Sequence, residues 1–211
     1  MRDFTDNCIV LKIADHRDDD RIATTLTAEH GMVTLLLRGV KKPKAKLKPF
    51  AQMFSAFNSH LVSGRGAYLT PTDPMPIADG FALCADLRIY TAASVAAEAT
   101  VAALGDGEPH PDVFVALLKL LKALEFDGDP YYQASVYMCE LLRLSGFYRN
   151  YTYSDSPLTP VQMLGYAQAH GHEKHGEASD LSRRALKYAC AEFERNFDTG
   201  LKSSESIDLY K

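Results

Sequence analysis

The sequence predicts two parts in succession, a small β-barrel and then a helical bundle. Three observations predict it: five short strand-like runs in about the first seventy residues, a cluster of prolines behind them, and a hydrophobic period that changes there from two to about 3.6. A chain of 211 residues suffices for one large domain or two small ones with a real core.

The strands follow in order. Ile9, Leu11 and Ile13 alternate with Val10 and Lys12. Residues 22–27 are rich in β-branched side chains, with Thr25 and Thr27 on one face. His30-Gly31 supplies a turn before a third run over 32–38. Residues 50–62 can hold one bent strand or two short ones. Ser63-Gly64-Arg65-Gly66 is a hairpin turn and 67–70 the returning strand. This number of strands suits a small Greek-key barrel, the OB-fold in particular, although an SH3-like barrel would use as many.

Pro71, Pro74 and Pro76 make residues 70–79 a stiff connector. The expected division is therefore an OB-fold domain with its connector over 1–79 and an all-α domain over 80–211. In the latter, Val113, Leu117, Leu120, Leu121 and Leu124 share one helical stripe behind Pro111. Asp129-Pro130 opens a second helix by the cap-then-proline rule; its stripe is Ala134, Tyr137, Met138, Leu141, Leu142 and Leu144, closed by Gly146. Asp180 can cap a last helix bearing Leu181, Ala185, Tyr188, Ala189, Phe193 and Phe197. Between them, near 149–179, Pro157, Pro160, Gly165, Gly171 and Gly176 break the pattern, which leaves a loop-rich insertion with at most a short helix over 160–169.

An apolar share of 46% and a charged share of 24% are ordinary for a globular protein. The longest apolar run, residues 91–104, is Ala-rich, interrupted by Glu98 and too short to span a bilayer. The first six residues hold two acids where a signal peptide would be apolar, so a cytoplasmic protein is expected. Cys8, Cys84, Cys139 and Cys190 form no Cys-x-x-Cys pair and read as buried thiols.

One segment carries the chemistry. Residues 38–48 read Arg38-Gly39-Val40-Lys41-Lys42-Pro43-Lys44-Ala45-Lys46-Leu47-Lys48, six cations and no acid. The whole chain has 23 Lys+Arg against 27 Asp+Glu, so only 17 cations remain elsewhere, a balance of −10. Charge so dense on an otherwise acidic body calls for a polyanion. Lys42, Lys44, Lys46 and Lys48 fall at alternate positions, and Lys42 and Lys48 each precede a proline, which favours extension. An extended segment would project all four to one side, about 6.6 Å apart, as a comb for a phosphate backbone. Six such contacts predict a slope of log K on log salt near about −4 for single strands and about −5 for duplex. Arg65 would extend the surface. Tyr68 is the best stacking candidate, ahead of Phe50, Phe54 and Phe57, which at strand spacing suit a core. The bland alternative is a solvated hairpin whose lysines blunt a sheet edge.

Other clusters ask for less. Asp18-Asp19-Asp20 could suggest magnesium, but neighbours on an extended chain diverge, and a solvated turn fits better. His170, His172 and His175 match no familiar zinc spacing, and no metal or other cofactor is expected. Nucleophile-elbow, zinc-protease and phosphate-loop motifs do not occur in the sequence, so a binding protein is expected rather than an enzyme.

Cys8-Ile9-Val10-Leu11-Lys12, Thr27-Ala28-Glu29-His30-Gly31, Arg38-Gly39-Val40-Lys41-Lys42-Pro43-Lys44 and Gly64-Arg65-Gly66 resemble successive pieces of the N-terminal barrel of RecO, the bacterial recombination mediator family. Residues 141–147, a helix end of Leu-x-x-x-Gly-aromatic type, resemble its central helix. Phe193-Glu194-Arg195-Asn196-Phe197 with Leu201-Lys202-Ser203 resembles its closing helix. Many members carry a four-cysteine zinc module where this chain has residues 150–179 without cysteine, so it resembles the zinc-free members. The resemblance implies a DNA repair and recombination mediator that binds single- and double-stranded DNA and anneals complementary strands. It also implies assistance to RecA on strands coated by single-stranded DNA-binding protein, with RecR as partner. An acidic partner tail would dock on the helical domain, with Arg143, Arg183, Arg184 and Lys187 as candidates beside apolar helix faces. The competing expectation is an adaptor for an acidic protein surface that does not anneal DNA.

Overall fold

The computed structural model describes residues 3–64, 66–126, 128–173 and 180–209. It contains two compact units, Met1–Ala82 with Leu104–Leu118, and Leu83–Ala103 with Lys119–Lys211.

The first unit is built on β1 (Phe4–His16), β2 (Asp20–Thr27), β3 (Gly31–Leu37), β4 (Ala56–Ser63) and β5 (Leu69–Ala78), closed into a barrel in the order β1-β2-β3-β5-β4. Among the described barrel strands only the β3–β5 pairing is parallel, through Leu35 and Leu69. This is the predicted OB-fold, and the SH3-like alternative falls away. Alternation along the strands turns Cys8, Val10, Ala23, Val33, Leu35, Phe57, Leu61 and Leu69 inward to a shared core.

The proline cluster is not a connector. It lies within β5, which pairs with β4 from Ser63↔Leu69 to Ala56↔Ala78. Two irregularities make room for it. Asp73 and Pro74 together face Ser59, with Asp73 at φ 47°, and a second shift falls between the Ala56 and Phe57 pairs beside Pro76. Proline is tolerated at bulges and on strands with a free edge, and β5 touches β3 in one pair only. The long run at 50–62 resolves into one strand, preceded by a 3₁₀ turn at Lys48–Phe50.

The helical elements are α1 (Gly80–Leu83), α2 (Leu87–Ala103), α3 (Pro111–Leu124), α4 (Pro130–Leu144), α5 (Pro160–His170) and α6 (Asp180–Phe197). In the second unit α4 packs on α2, α5 and α6. Asp129 caps α4 by accepting the Tyr131 and Tyr132 amides, with Pro130 at the first helical position. Gly146, at φ 84°, ends it: its amide reaches Arg143 O at 3.1 Å and the Phe147 amide reaches Leu142 O at 2.8 Å, a Schellman closure. Asp180 is the first residue of α6, and its carboxylate pairs with Arg183 and Arg184.

The insertion holds α5 as anticipated, one residue longer. Thr159 and Gln162 form its capping box. Gly165 does not interrupt this helix: a Cβ there would lie 2.3 Å from Thr152 O, so glycine permits the close approach of 151–153. Gln168 ties the same stretch by accepting the Tyr151 amide and donating to Arg149 O. After α6, Leu201 leads into a 3₁₀ segment (Lys202–Asp208). The Glu98 carboxylate on α2 accepts the Lys202 amide, the Ser203 amide and the Ser203 hydroxyl. Among the described residues no helix is long and apolar enough to cross a membrane.

Candidate nucleic-acid interface

The basic segment joins β3 to β4 and is folded, not extended. Lys42 N donates to Gly39 O, Ala45 N to Lys42 O, Lys48 N to Ala45 O and Ala51 N to Lys48 O. These are successive tight turns. Pro43 and Pro49 each follow the carbonyl residue of their turn, the position that a fixed φ favours. The evenly spaced comb of four lysines is thereby replaced by a cluster. The apolar residues between the lysines explain the shape. Val40 and Ala51 are buried in the barrel core, Leu47 and Phe50 pack against it, and Phe50 meets Phe57 edge-on at 5.3 Å. With those side chains held inward, Arg38, Lys41, Lys42, Lys44, Lys46 and Lys48 all remain exposed.

The β1–β2 hairpin braces the loop from one side. Asp20 Oδ1 accepts the Gly39 amide at 2.8 Å and Asp19 O the Lys41 amide at 3.1 Å. Lys41 Nζ lies 3.1 Å from Asp15 Oδ2, and Lys42 Nζ 3.4 Å from Asp19 Oδ2. Arg21 links Asp15 to Ala51 O, at 3.2 Å each, and so ties down the far end. The hydrogen bond from Lys41 holds the exposed Asp15 carboxyl below its ordinary range. The acidic run is thus a brace, not a bare solvated turn. Arg38, Lys44, Lys46 and Lys48 have no ion-pair partner among the described residues.

Of the aromatic candidates, Phe54 and Phe57 are buried core residues and Phe50 an anchor. Tyr68 is half-buried, its ring edge-on to His16 at 5.9 Å, which brings the β4–β5 loop beside the end of β1. Arg65 lies outside the described residues. One cation escaped the sequence reasoning: Lys12, exposed on the outer face of the sheet, where Thr24 and Thr34 follow it across β2 and β3. The parity of the inward-packed Ile13 could have shown it.

The four helical candidates do not form one surface. Arg183 and Lys187 converge on Asp208 of the C-terminal segment, and Arg184 reaches Asp180 at 4.0 Å. Arg143 pairs with Glu140 at 2.7 Å in the last turn of α4. Tyr131, which senses the Arg183 charge, lies at the other end of that helix, about 18 Å away at 1.5 Å per residue.

The histidines serve structure. His170 stacks on Tyr166 at 4.0 Å between ring centroids and its Nδ1 meets Tyr166 O. His172 Nδ1 meets Gln133 Oε1 at 2.6 Å, and burial, with Lys119 nearby, lowers its pKa to about 4. His175 lies outside the described residues, among which no group of three or more His, Cys, Asp or Glu could hold a metal. Burial pushes the Cys8, Cys139 and Cys190 thiols up to about 12, so they are inert.

Comparison with known proteins agrees with this architecture. The family model for the N-terminal part of recombination protein O matches residues 1–70, and the model for its C-terminal part matches 84–153. The DNA repair protein RecO of Anaeromyxobacter sp. (strain K) is 31% identical over 141 residues, 65% of this chain and 55% of that one. Those of Myxococcus xanthus and Bacillus subtilis are 30% identical over 125 residues and 29% over 140, covering 59% and 66% of this chain and 51% and 54% of theirs. The chain spans about half the length of the curated relatives it matches. With both halves of the family pattern matched and the closed barrel in place, the chain belongs to the RecO family.

Proposed function

We propose that the chain is a DNA repair and recombination mediator that binds single- and double-stranded DNA through the β3–β4 loop and anneals complementary strands. In this role it assists RecA on strands coated by single-stranded DNA-binding protein, in the cytoplasm at the nucleoid and with RecR as partner. One observation carries the proposal: Arg38, Lys44, Lys46 and Lys48 are exposed, carry no counter-charge among the described residues, and sit on a loop anchored in an OB-fold barrel. Lysine ammoniums are point charges that neutralise phosphate without reading bases. Lys12, exposed on β1, and Tyr68, beside His16 at the end of that strand, add barrel surface that a bound strand could follow. Annealing two polyanions calls for such a sequence-blind surface rather than a nucleophile or general base, so the protein acts by binding and not as an enzyme. An acidic partner tail docking at Arg183, Arg184 and Lys187 would exchange with Asp180 and Asp208, which hold those cations now.

The test is annealing of complementary oligonucleotides, naked or coated with single-stranded DNA-binding protein, across a salt series. Acceleration that fades with salt and survives the coating protein is expected. Affinity for an acidic protein surface without annealing at any salt concentration would point to an adaptor instead.

A further inference from the structure

Asp15 and Asp19 contribute nothing to a DNA surface directly, yet each holds one of its six cations. The remainder of the hairpin fixes the backbone so that these pairs meet, through Asp20 to the Gly39 amide and the Lys41 amide to Asp19 O. Exposed ion pairs are individually weak, mainly because two long side chains must be immobilised. Here the backbone bonds have already brought the partners together. A lysine matched to a carboxylate a few ångströms away has less charge to offer a phosphate. Asp18, in the same turn, has no ion pair among the described residues.

We propose that Asp15 and Asp19 are resident counterions that withdraw Lys41 and Lys42 from the DNA surface. With the loop taken as the DNA-binding surface proposed above, they restrict it to four phosphate contacts. They are positioning residues that set how tightly, and with what salt dependence, a strand is held. A mediator that must pass strands on gains from a hold that can be exchanged. At about −0.7 per contact, four contacts give a single-strand slope of about −2.8, or about 50-fold weaker binding between about 50 and 200 mM salt. Six contacts would give about −4.2 and about 340-fold.

The test uses the full chain and a labelled oligothymidine of about 30 nucleotides, with anisotropy titrations over that salt range. D19N is expected to steepen the slope by about 0.7 and D15N/D19N by about 1.4, each binding more tightly at low salt. D18N removes the same charge without freeing a lysine and is expected to keep the wild-type slope. Asn can still accept the Arg21 and backbone-side contacts, and circular dichroism checks the fold. D19N leaves the Asp15–Arg21–Ala51 strap whole, so it decides the matter alone if the double variant unfolds. Equal shifts in D18N and D19N, or none in any Asp variant, overturn the resident-counterion role while loop-dependent DNA binding stands. Salt-insensitive binding that survives R38A/K44A/K46A/K48A overturns the loop as the DNA surface as well.

Discussion

Two sets of cations in this molecule differ in what their charge is doing. On the β3–β4 loop, Arg38, Lys44, Lys46 and Lys48 face solvent with no carboxylate partner among the described residues. On α4 and α6, Arg143, Arg183, Arg184 and Lys187 each have one, from Glu140, Asp180 or Asp208. The first set is available to an outside anion, whereas the second is engaged in holding helix and tail. A count of basic residues would rank the two alike. Pairing separates them, and pairing is a property of the fold.

The sharpest way to break this contrast is to remove each set. At about 0.1 M salt, R38A/K44A/K46A/K48A is expected to lose about 600-fold in single-strand affinity by anisotropy, since four contacts each contribute about 0.7 decade. R183A/R184A/K187A removes nearly as much charge and is expected to change it by no more than about twofold, because those cations are already matched by Asp180 and Asp208. Comparable losses in the two variants would erase the distinction.

A smaller effect probes what carboxylates do in the helical unit. E98Q is expected to lower stability by about 1 kcal/mol in chemical denaturation, because charge-assisted bonds to the Lys202 and Ser203 groups are weakened. Burial pushes the Glu98 carboxyl upward, but the Ser203 and Lys202 bonds outweigh it and leave the group below its ordinary range. Its contribution is therefore present above the unfolded carboxylate pKa and lost as pH falls through the lower folded value; E98Q should flatten that acid limb.

An effect that emerges only on acidification concerns His172, a cationic group only when protonated. Burial holds it neutral down to about pH 4, whereas in the unfolded chain it protonates near the ordinary histidine value of 6.5. The unfolded state then binds more protons, so stability should decline as pH falls from about 6.5 toward 4. Thermal midpoints of wild type and H172Q across that window check it. A midpoint that rises on acidification would show that the imidazole is charged in the fold.

Much of this architecture was legible because local rules and tertiary structure agreed. Alternation marked β1, β-branched residues marked β2 and the His30-Gly31 turn marked the start of β3, while Asp129-Pro130 and Gly146 marked both ends of α4. β5 was anticipated only at its start, over 67–70, because proline ordinarily argues against a strand, and the bulge that admits Pro74 depends on its partner strand. α2 gave no amphipathic stripe, since Thr91, Ala92, Ala93, Val95, Ala96, Ala97, Ala99 and Thr100 are buried nearly all round its middle. At the candidate site, charge density was visible but conformation was not. The residue before a proline does avoid the helical region, but turns also satisfy that rule. What chose turns was burial of Val40, Leu47, Phe50 and Ala51, together with bonds to a hairpin some twenty residues upstream. The Asp15–Lys41 and Asp19–Lys42 pairs could not be read from spacing for the same reason.

The prolines of β5 have a consequence away from any ligand. A strand that meets its parallel neighbour in one pair would normally offer a ribbon of amide donors to a stranger's backbone. Pro71, Pro74 and Pro76 have no such donors, and the bulge at Asp73 bends the ribbon out of register. When many copies crowd together, this flank is a poor seed for cross-β stacking between them.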